Sequence, residues 1–205
     1  INGEALGKGE ILALWNYDEK KIHIKTSAGM GIIPTFIIEG DYYPKTTKLD
    51  FKIGLDKLRL NMFEPFADVL ISDLKGLASG DLTLEGTTKM PDFNGELKLM
   101  KTSLIVDYLK TRYNFTNDVT VAHNNIMVKN FEIFDEKGYV AIGEGSITNR
   151  YFKDFNLDLK IKSKNFEFLN TTEKDNQMFY GLVFASGDIH VTGPPTNLFM
   201  DITAR

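Results

Sequence analysis

Apolar and polar residues alternate with a period of two along much of this chain. In KLDFKIGLD (48–56), every second residue is apolar, so these side chains would share one face of a strand. The same rhythm recurs in KIHIK (21–25), DLTLE (81–85), ELKLM (96–100), FNLDLKIKS (155–163), NFEFL (165–169) and DIHVT (188–192). Half-buried strands of this kind are typical of antiparallel sheets, whereas strands of parallel sheets read as continuous apolar runs. The pattern predicts an all-β fold.

Turn-forming residues separate the predicted strands. We expect hairpin connections at four places: Asn16 to Lys20, Asn94-Gly95, His123 to Asn125, and Asp135 to Gly138. Proline cannot donate a hydrogen bond to a sheet, so Pro91 and the pair Pro194-Pro195 are expected at strand ends or edges. Short strands joined in this way predict an antiparallel meander.

One segment has helical rather than strand periodicity. In FEPFADVLISDL (63–74), apolar residues recur at helical spacing, and Pro65 lies where a first helical turn tolerates it; the stripe consists of Phe63, Phe66, Val69 or Leu70, and Leu74. The sequence therefore predicts one short amphipathic helix near 63–74, packed against the end of the sheet.

Two further segments interrupt the alternation. Residues 101–115 fit either a strand or a strand followed by a helical turn. Between Val128 and Phe131 the alternation slips by one residue, which predicts a β-bulge.

A short repeat runs through the chain. GDLTLEG (80–86) matches GDIHVTG (187–193) at an offset of 187 − 80 = 107 residues, and weaker copies occur at 7–11, 40–43 and 143–147. In the two strong copies we expect a Gly-polar pair to open a strand and a second glycine to close it. Such strand–turn units are typical of periodic architectures that lengthen by adding units. We interpret residues 1–205 as a single β-rich domain from a longer repetitive protein.

Composition and charge narrow the function. The 205 residues carry a net charge of −4 with both signs interleaved, so no basic stripe favours a nucleic-acid partner. Cysteine is absent, which removes disulfides and thiolate chemistry, and the three histidines are far apart in sequence. No nucleophile elbow or phosphate-binding loop is present. We expect no enzymatic activity, no cofactor and no metal site.

Five segments recur in a characteristic order and spacing: GLASGDLTLEGTTKMPDFNGELKL (76–99), LKTRYNF (109–115), FDEKGYVAIGEGSI (134–147), FKDFNLDLKI (152–161) and LNTTEKDNQMFYGLVFASGDIHVTGPP (169–195). Together they resemble the C-terminal conserved domain of the TamB proteins, most closely the versions from Bacteroides and its relatives. TamB proteins are subunits of the translocation and assembly module of Gram-negative bacteria.

This resemblance implies a periplasmic protein that supports outer-membrane biogenesis without catalysis. Family members form a long curled β-sheet, a β-taco, with an apolar concave face. They are anchored in the inner membrane by an N-terminal helix that does not appear in this sequence. They dock onto an outer-membrane barrel protein of the Omp85 class, and they are assigned two roles: outer-membrane protein assembly and phospholipid transport between the membranes.

The alternation and the resemblance agree on one physical point: a sheet with all its apolar residues on one face must cover that face. A curled sheet would leave a groove in which phospholipid acyl chains supply the cover. The residues expected to line this groove are Leu49, Phe51, Ile53, Leu82, Leu84, Leu97, Leu99, Phe155, Leu157, Leu159, Ile161, Ile189 and Val191. Six tyrosines are expected at the rim of this groove, with buried rings and solvent-exposed hydroxyl groups: Tyr42, Tyr43, Tyr113, Tyr139, Tyr151 and Tyr180.

One alternative to a lipid groove remains open from the residues alone. A closed β-sandwich or barrel that binds a protein or glycan shares the alternation but predicts a filled core. An open sheet also exposes unpaired backbone groups at its terminal strands, so we expect that two copies can pair edge to edge or exchange strands.

Overall fold

The computed structural model describes residues 7–29, 34–66, 70–150, 153–175 and 180–204. In these residues the chain forms one antiparallel sheet of twelve strands, ordered as they occur in the sequence. The strands are β1 Lys8–Asn16, β2 Lys21–Gly29, β3 Phe36–Tyr43, β4 Lys48–Arg59, β5 Ile71–Gly86, β6 Pro91–Val106, β7 Thr111–Ala122, β8 Asn125–Phe134, β9 Val140–Arg150, β10 Lys153–Thr171, β11 Gly181–Gly193 and β12 Phe199–Ala204. The prediction of an all-β antiparallel meander is confirmed.

The sheet does not close into a barrel within the described residues. β1 pairs with β2 and β12 with β11, and the two outer strands do not pair with each other. We call the end that carries the turns 17–20, 44–47 and 123–124 the turn end, and the opposite end, with the loops 107–110 and 135–139, the helix end.

The predicted helix is shorter than expected and differs in type. A 3-10 helix covers Leu60–Phe66, whereas Ile71 to Leu74 belong to β5, and 67–69 lie outside the described residues. Strand pairing of Ile71 with β6 satisfies the backbone there, and the Leu74 amide donates to the Glu64 carboxylate at 3.0 Å. Leu74, the last residue of the predicted apolar stripe, instead packs from β5 against Leu60 of the 3-10 helix.

Four β-bulges of the same form cross the middle of the sheet. In β4, β6, β8 and β10, one extra residue is inserted opposite the following strand. One residue in each bulge has a positive φ near 50°. These residues are Lys57, Lys101, Asn130 and Asn165. The bulge predicted between Val128 and Phe131 is confirmed as one of the four. We call this set the bulge line; bulges bend a strand and increase its twist.

Both strong copies of the sequence repeat lie on strands that face one of these bulges. Ser79 and Ser186, each followed by Gly-Asp, accept the backbone amides of Lys57 and Asn165 at 2.8 and 2.9 Å. Thr116 accepts the Lys101 amide in the same way at 3.0 Å. The hydroxyl therefore satisfies a donor that the bulge removes from the sheet ladder.

The first glycine of each strong repeat lies inside a strand, contrary to prediction, whereas the second glycine ends its strand as predicted: Gly86 ends β5 and Gly193 ends β11. Gly80 and Gly187 are in the middle of β5 and β11, with φ of 145° and 151°. Gly95, expected in a hairpin turn, is likewise inside β6. The physical reason is crowding: a Cβ on Gly80 would overlap the Glu96 carbonyl oxygen of the neighbouring strand. Glycine bends a strand here instead of turning the chain.

The other turn predictions match the structure. Turns occur at 17–20, 123–124 and 135–139, and 101–115 resolve into the end of β6, a turn at 107–110 and the start of β7. Pro91 opens β6, and Pro194 directly follows β11.

Two packed clusters fill the helix end of the sheet. The first consists of Tyr113, Ile133, Ala141 and Phe166, and the second of Leu60, Leu74 and Ala78. β7 and β10 meet past the tip of the shorter β8–β9 hairpin, where the Asn170 amide donates to the Leu109 carbonyl at 2.9 Å. The sheet therefore curls across these four strands, far enough to bring β10 against the β6–β7 turn.

Candidate functional site

One face of the sheet carries a row of directly paired residues across eleven strands, and eight of these residues have apolar side chains. Each residue of the row lies directly opposite the next one on the neighbouring strand. From β1 to β11 the residues are Ile11, Thr26, Ile38, Ile53, Leu82, Gly95, Val121, Ile126, Ile147, Leu157 and Gly193. We call it the central row and its side of the sheet the inner face. Ten strand spacings give a length of about 48 Å, which exceeds the ~30 Å hydrocarbon core of a bilayer.

All thirteen predicted groove residues lie on this inner face or continue its alternation. Phe51, Leu157 and Ile189 are buried, and the other ten are half-buried. No second layer covers the inner face in the described part of the chain. Burial of these three side chains therefore requires the sheet to curl toward its own apolar face, and the half-exposed side chains show that the curl leaves part of that face open.

Two of the thirteen residues belong to the packed clusters at the helix end. Leu99 packs against the Leu60, Leu74 and Ala78 cluster, and Ile161 packs against the Tyr113 and Phe166 cluster. Their apolar surface is thus covered partly by the protein's own side chains. The accessible apolar surface lies on the other side of the bulge line, toward the turn end, where Ile53, Leu82 and Leu84 are half-buried.

Glycines lie directly opposite large side chains on the inner face. Gly40 faces Phe51, Gly80 faces Leu97, Gly95 faces Leu82, and Gly145 faces Leu159 across adjacent strands. A Cβ on any of these glycines would overlap a backbone carbonyl oxygen of the facing strand. Small-against-large pairing lets neighbouring backbones approach closely and shapes the concave face.

The outer face carries cross-strand ion pairs. Lys21 and Asp41 lie 3.0 Å apart, and Lys25 and Glu39 lie 2.7 Å apart. The hydrogen bond from Lys25 lowers the pKa of Glu39. Burial alone would raise the pKa of Asp41, but hydrogen bonds from Lys21 and His23 hold it below its usual range. These pairs are half-exposed or exposed, so each contributes little stability, and they keep the outer face solvated.

Each histidine contacts an aspartate. His23 lies 3.0 Å from Asp41, His123 3.0 Å from Asp92, and His190 2.7 Å from Asp158. The described residues include no group of three or more His, Asp or Glu side chains placed to hold a metal ion. They also include no helix with the length and apolar character of a membrane span.

The prediction that Tyr113 lies at the rim is wrong. Tyr113 is buried, its ring stacks on Phe166 at 5.2 Å, and its hydroxyl donates to the Glu167 carbonyl at 3.0 Å while accepting from Thr111 at 3.1 Å. Burial raises the pKa of Tyr113 to about 12. Among the other rim tyrosines, Tyr139 and Tyr180 are exposed, Tyr42 and Tyr43 are half-buried, and Tyr151 lies outside the described residues.

Sequence reasoning missed five apolar members of the central row. Ile11, Ile38, Val121, Ile126 and Ile147 lie in it but were not among the predicted groove residues. Strict alternation in DVTV (118–121) was a usable signal for Val121. Ile11 lies in an unbroken apolar run, and the other three occur in segments where bulges or glycines interrupt the pattern.

Comparisons of the chain with protein-family models, with curated proteins and with solved structures find no match.

Proposed function

We propose that this protein binds phospholipid acyl chains on the inner face of its curled sheet and passes them along the central row. The proposal follows the TamB resemblance, in which such a groove shields lipid in the periplasm between an inner-membrane anchor and an Omp85-class outer-membrane partner. The observation that carries it is the central row: it crosses eleven strands, eight of its residues have apolar side chains, and no second layer lies over it in the described residues.

The energetics favour a long lipid chain as the missing cover. Transfer of one methylene from hydrocarbon to water costs about 0.8 kcal/mol, so a chain of about fifteen methylenes faces a barrier on the order of 12 kcal/mol. An apolar surface longer than a bilayer leaflet removes much of that barrier. Because apolar contacts are non-directional, sites along the row would have similar affinities, and a bound chain could move without being trapped.

The alternative of a closed sandwich or barrel finds no support in the architecture. Both require the apolar face to be covered by a second sheet or by closure of the first one. Within the described residues there is one sheet with two separate outer strands.

A binding experiment tests the proposal at Leu84. This side chain is half-buried on the inner face between Phe51 and Phe93, so Leu84→Asp places a charge on the groove without emptying a packed core. Thr83→Asp is the matched control, because Thr83 is the preceding residue on the outer face, opposite Lys52.

The protein is incubated with vesicles of phosphatidylethanolamine and phosphatidylglycerol and then separated from them. Native mass spectrometry measures how much phospholipid remains bound to it. We expect bound phospholipid in the wild type and in Thr83→Asp, and at least a tenfold loss in Leu84→Asp. Equal lipid loads in the two folded variants would refute binding on the inner face.

Transfer is measured separately with vesicles that carry a fluorescent phospholipid and unlabelled acceptor vesicles. Wild-type protein should accelerate exchange and Leu84→Asp should not. Lipid binding without faster exchange would indicate that the protein stores lipid, and would contradict its role as a carrier.

A further inference from the structure

The two ends of the sheet differ in charge. Within the described residues, the connecting segments at the turn end carry three lysines and two acidic residues, a sum of 3 − 2 = +1, whereas those at the helix end carry three lysines and six acidic residues, a sum of 3 − 6 = −3. Because bulges bend the strands between these ends, the two ends form opposite rims of the inner face. The turn-end segments are 17–20, 44–47, 87–90, 123–124 and 194–198, and the helix-end segments are 60–66, 107–110, 135–139 and 172–175.

Two neighbouring turns at the positive rim contain the same tripeptide, Thr-Thr-Lys. It occurs in PKTTK (44–48), between β3 and β4, and in TTKM (87–90), between β5 and β6. The Thr88 amide donates to the Thr47 carbonyl at 3.0 Å, so the backbone joins the two turns into one unit. We call this unit, residues 44–48 with 87–90, the double turn. The strands that carry it, β3 to β6, all have neighbouring strands on both sides.

The double turn exposes two unpaired lysines. Lys45 and Lys89 are exposed, and neither makes an ion pair within the described part of the chain. Thr46 and Thr88 are also exposed, and their hydroxyl groups can donate hydrogen bonds. Two ammonium groups beside two hydroxyl donors suit an anion that accepts several hydrogen bonds, such as a phosphate.

Carboxylates on the outer face restrict where an anion can bind. Asp41 lies directly opposite Asp50, and Glu85 lies directly opposite Asp92, on the strands that carry the double turn. Asp50 also lies 3.8 Å from Lys48 and offsets its charge. Because like charges repel, a phosphate is disfavoured on the outer face and is attracted only at the tips of the two turns and on their inner side.

The double turn borders the open part of the inner face. Leu84 precedes Thr87 by three residues, about 10 Å along the strand, and Leu49 directly follows residues 44–48. Tyr42, opposite Leu49, is half-buried on the same face. An acyl chain whose first methylenes contact Leu84 would therefore place its glycerol and phosphate at the double turn.

We propose that the double turn binds the phosphate of a phospholipid whose acyl chains lie on the inner face, so that the headgroup is held at the turn end and away from the acidic helix end. This inference rests on the proposed function and adds to it a headgroup subsite and an orientation of the bound lipid. A lysine beside an anionic lipid group strengthens binding by about fivefold, so two lysines contribute roughly 25-fold. The subsite selects for phosphate and not for the alcohol attached to it.

Competition between two lipids that differ only in the phosphate headgroup tests the subsite. The protein is incubated with phosphatidylcholine vesicles that contain equal amounts of phosphatidylglycerol and of diacylglycerol with the same acyl chains. It is then separated from the vesicles, and native mass spectrometry measures both bound lipids. The test variant is Lys45→Gln, Lys89→Gln. The matched control is Lys98→Gln, Lys174→Gln, which removes the same charge at two exposed lysines that make no ion pair within the described residues and lie away from the double turn.

We expect wild type and the control to retain at least tenfold more phosphatidylglycerol than diacylglycerol. The test variant should lower this ratio at least fivefold and keep its load of diacylglycerol, because the apolar contacts are unchanged. Equal ratios in the two variants would overturn the phosphate subsite and leave acyl-chain binding intact. Retention of neither lipid by wild type would contradict lipid binding itself and, with it, the subsite.

Co-sedimentation with the same vesicles distinguishes the phosphate of a carried lipid from that of a membrane surface. The test variant should sediment with the vesicles to within twofold of the control. Weaker sedimentation together with an unchanged ratio of retained lipids would show that the two lysines contact the membrane surface, and would overturn the proposal.

Discussion

Replacing Gly80 by alanine should destabilise the protein strongly, because this position bends β5 around its neighbours. Its φ of 145° lies in a region that residues with a side chain rarely adopt. An added Cβ would overlap the Glu96 carbonyl oxygen and lie 3.0 Å from the Leu97 Cα atom, and both are backbone atoms that cannot rotate away.

The magnitude follows from two contributions. Backbone strain at such a φ costs about 1–3 kcal/mol, and forcing extra volume into a tight contact costs about 1–3 kcal/mol. We therefore expect Gly80→Ala to lower the free energy of unfolding by about 2–6 kcal/mol. For a chain of this size each kcal/mol shifts the melting temperature by about 2–4 °C, so the loss should be on the order of 10 °C.

Gly54→Ala is the matched control. Gly54 also lies inside a strand, but its φ is not in the positive region, and an added Cβ would meet only the Asp81 side chain at an ordinary 3.5 Å. Thermal and urea unfolding of both variants, followed by circular dichroism, make the comparison. Gly54→Ala should change stability by less than about 1 kcal/mol. If Gly80→Ala were as stable as Gly54→Ala, the argument that glycines shape the curl would be wrong.

Two further predictions concern the bulge line and the helix end. Ser186→Ala removes the acceptor of the Asn165 amide and should cost about 1 kcal/mol in urea unfolding, whereas Ser146→Ala, whose hydroxyl makes no hydrogen bond among the described residues, should cost less than half of that. Equal losses would show that the serine does not support the bulge. Tyr113 has a folded-state pKa of about 12, above its ordinary value of 10, so its stabilising effect is complete below pH 10 and is lost as the pH rises through 12. Between pH 8 and pH 11, wild type should lose about 1.4 kcal/mol more stability than Tyr113→Phe, and parallel pH profiles would contradict the burial of this hydroxyl.

Local alternation was enough to predict six of the strands, namely β2, β4, β5, β6, β10 and β11, and the face that their apolar side chains share. In KLDFKIGLD, every apolar residue shares a face because the period of a strand is fixed by the backbone, so no distant information is needed. The bulge at Val128 to Phe131 was predictable for the same reason, since one extra residue shifts the phase visibly.

Features that depend on the facing strand were not predictable from local sequence. Gly95 has the same conformational freedom in a turn as in a bent strand, and only the nearby backbone of Leu82 decides between them. Tyr113 was expected at the rim because its acceptor, the Glu167 carbonyl, is 54 residues away in sequence. The apolar spacing of 63–74 fits a helix, but Leu74 lies in β5 and packs against Leu60, which precedes that segment.

Photocross-linking from single positions tests the central claim most directly. A photoreactive amino acid is placed at Leu84 on the inner face or at Thr83 on the outer face, and the protein is irradiated with vesicles that contain a radiolabelled phospholipid. Strong labelling from position 84 and background labelling from position 83 is the expected result. Equal labelling from the two positions, or none from position 84, would contradict the account of an acyl chain held on the inner face.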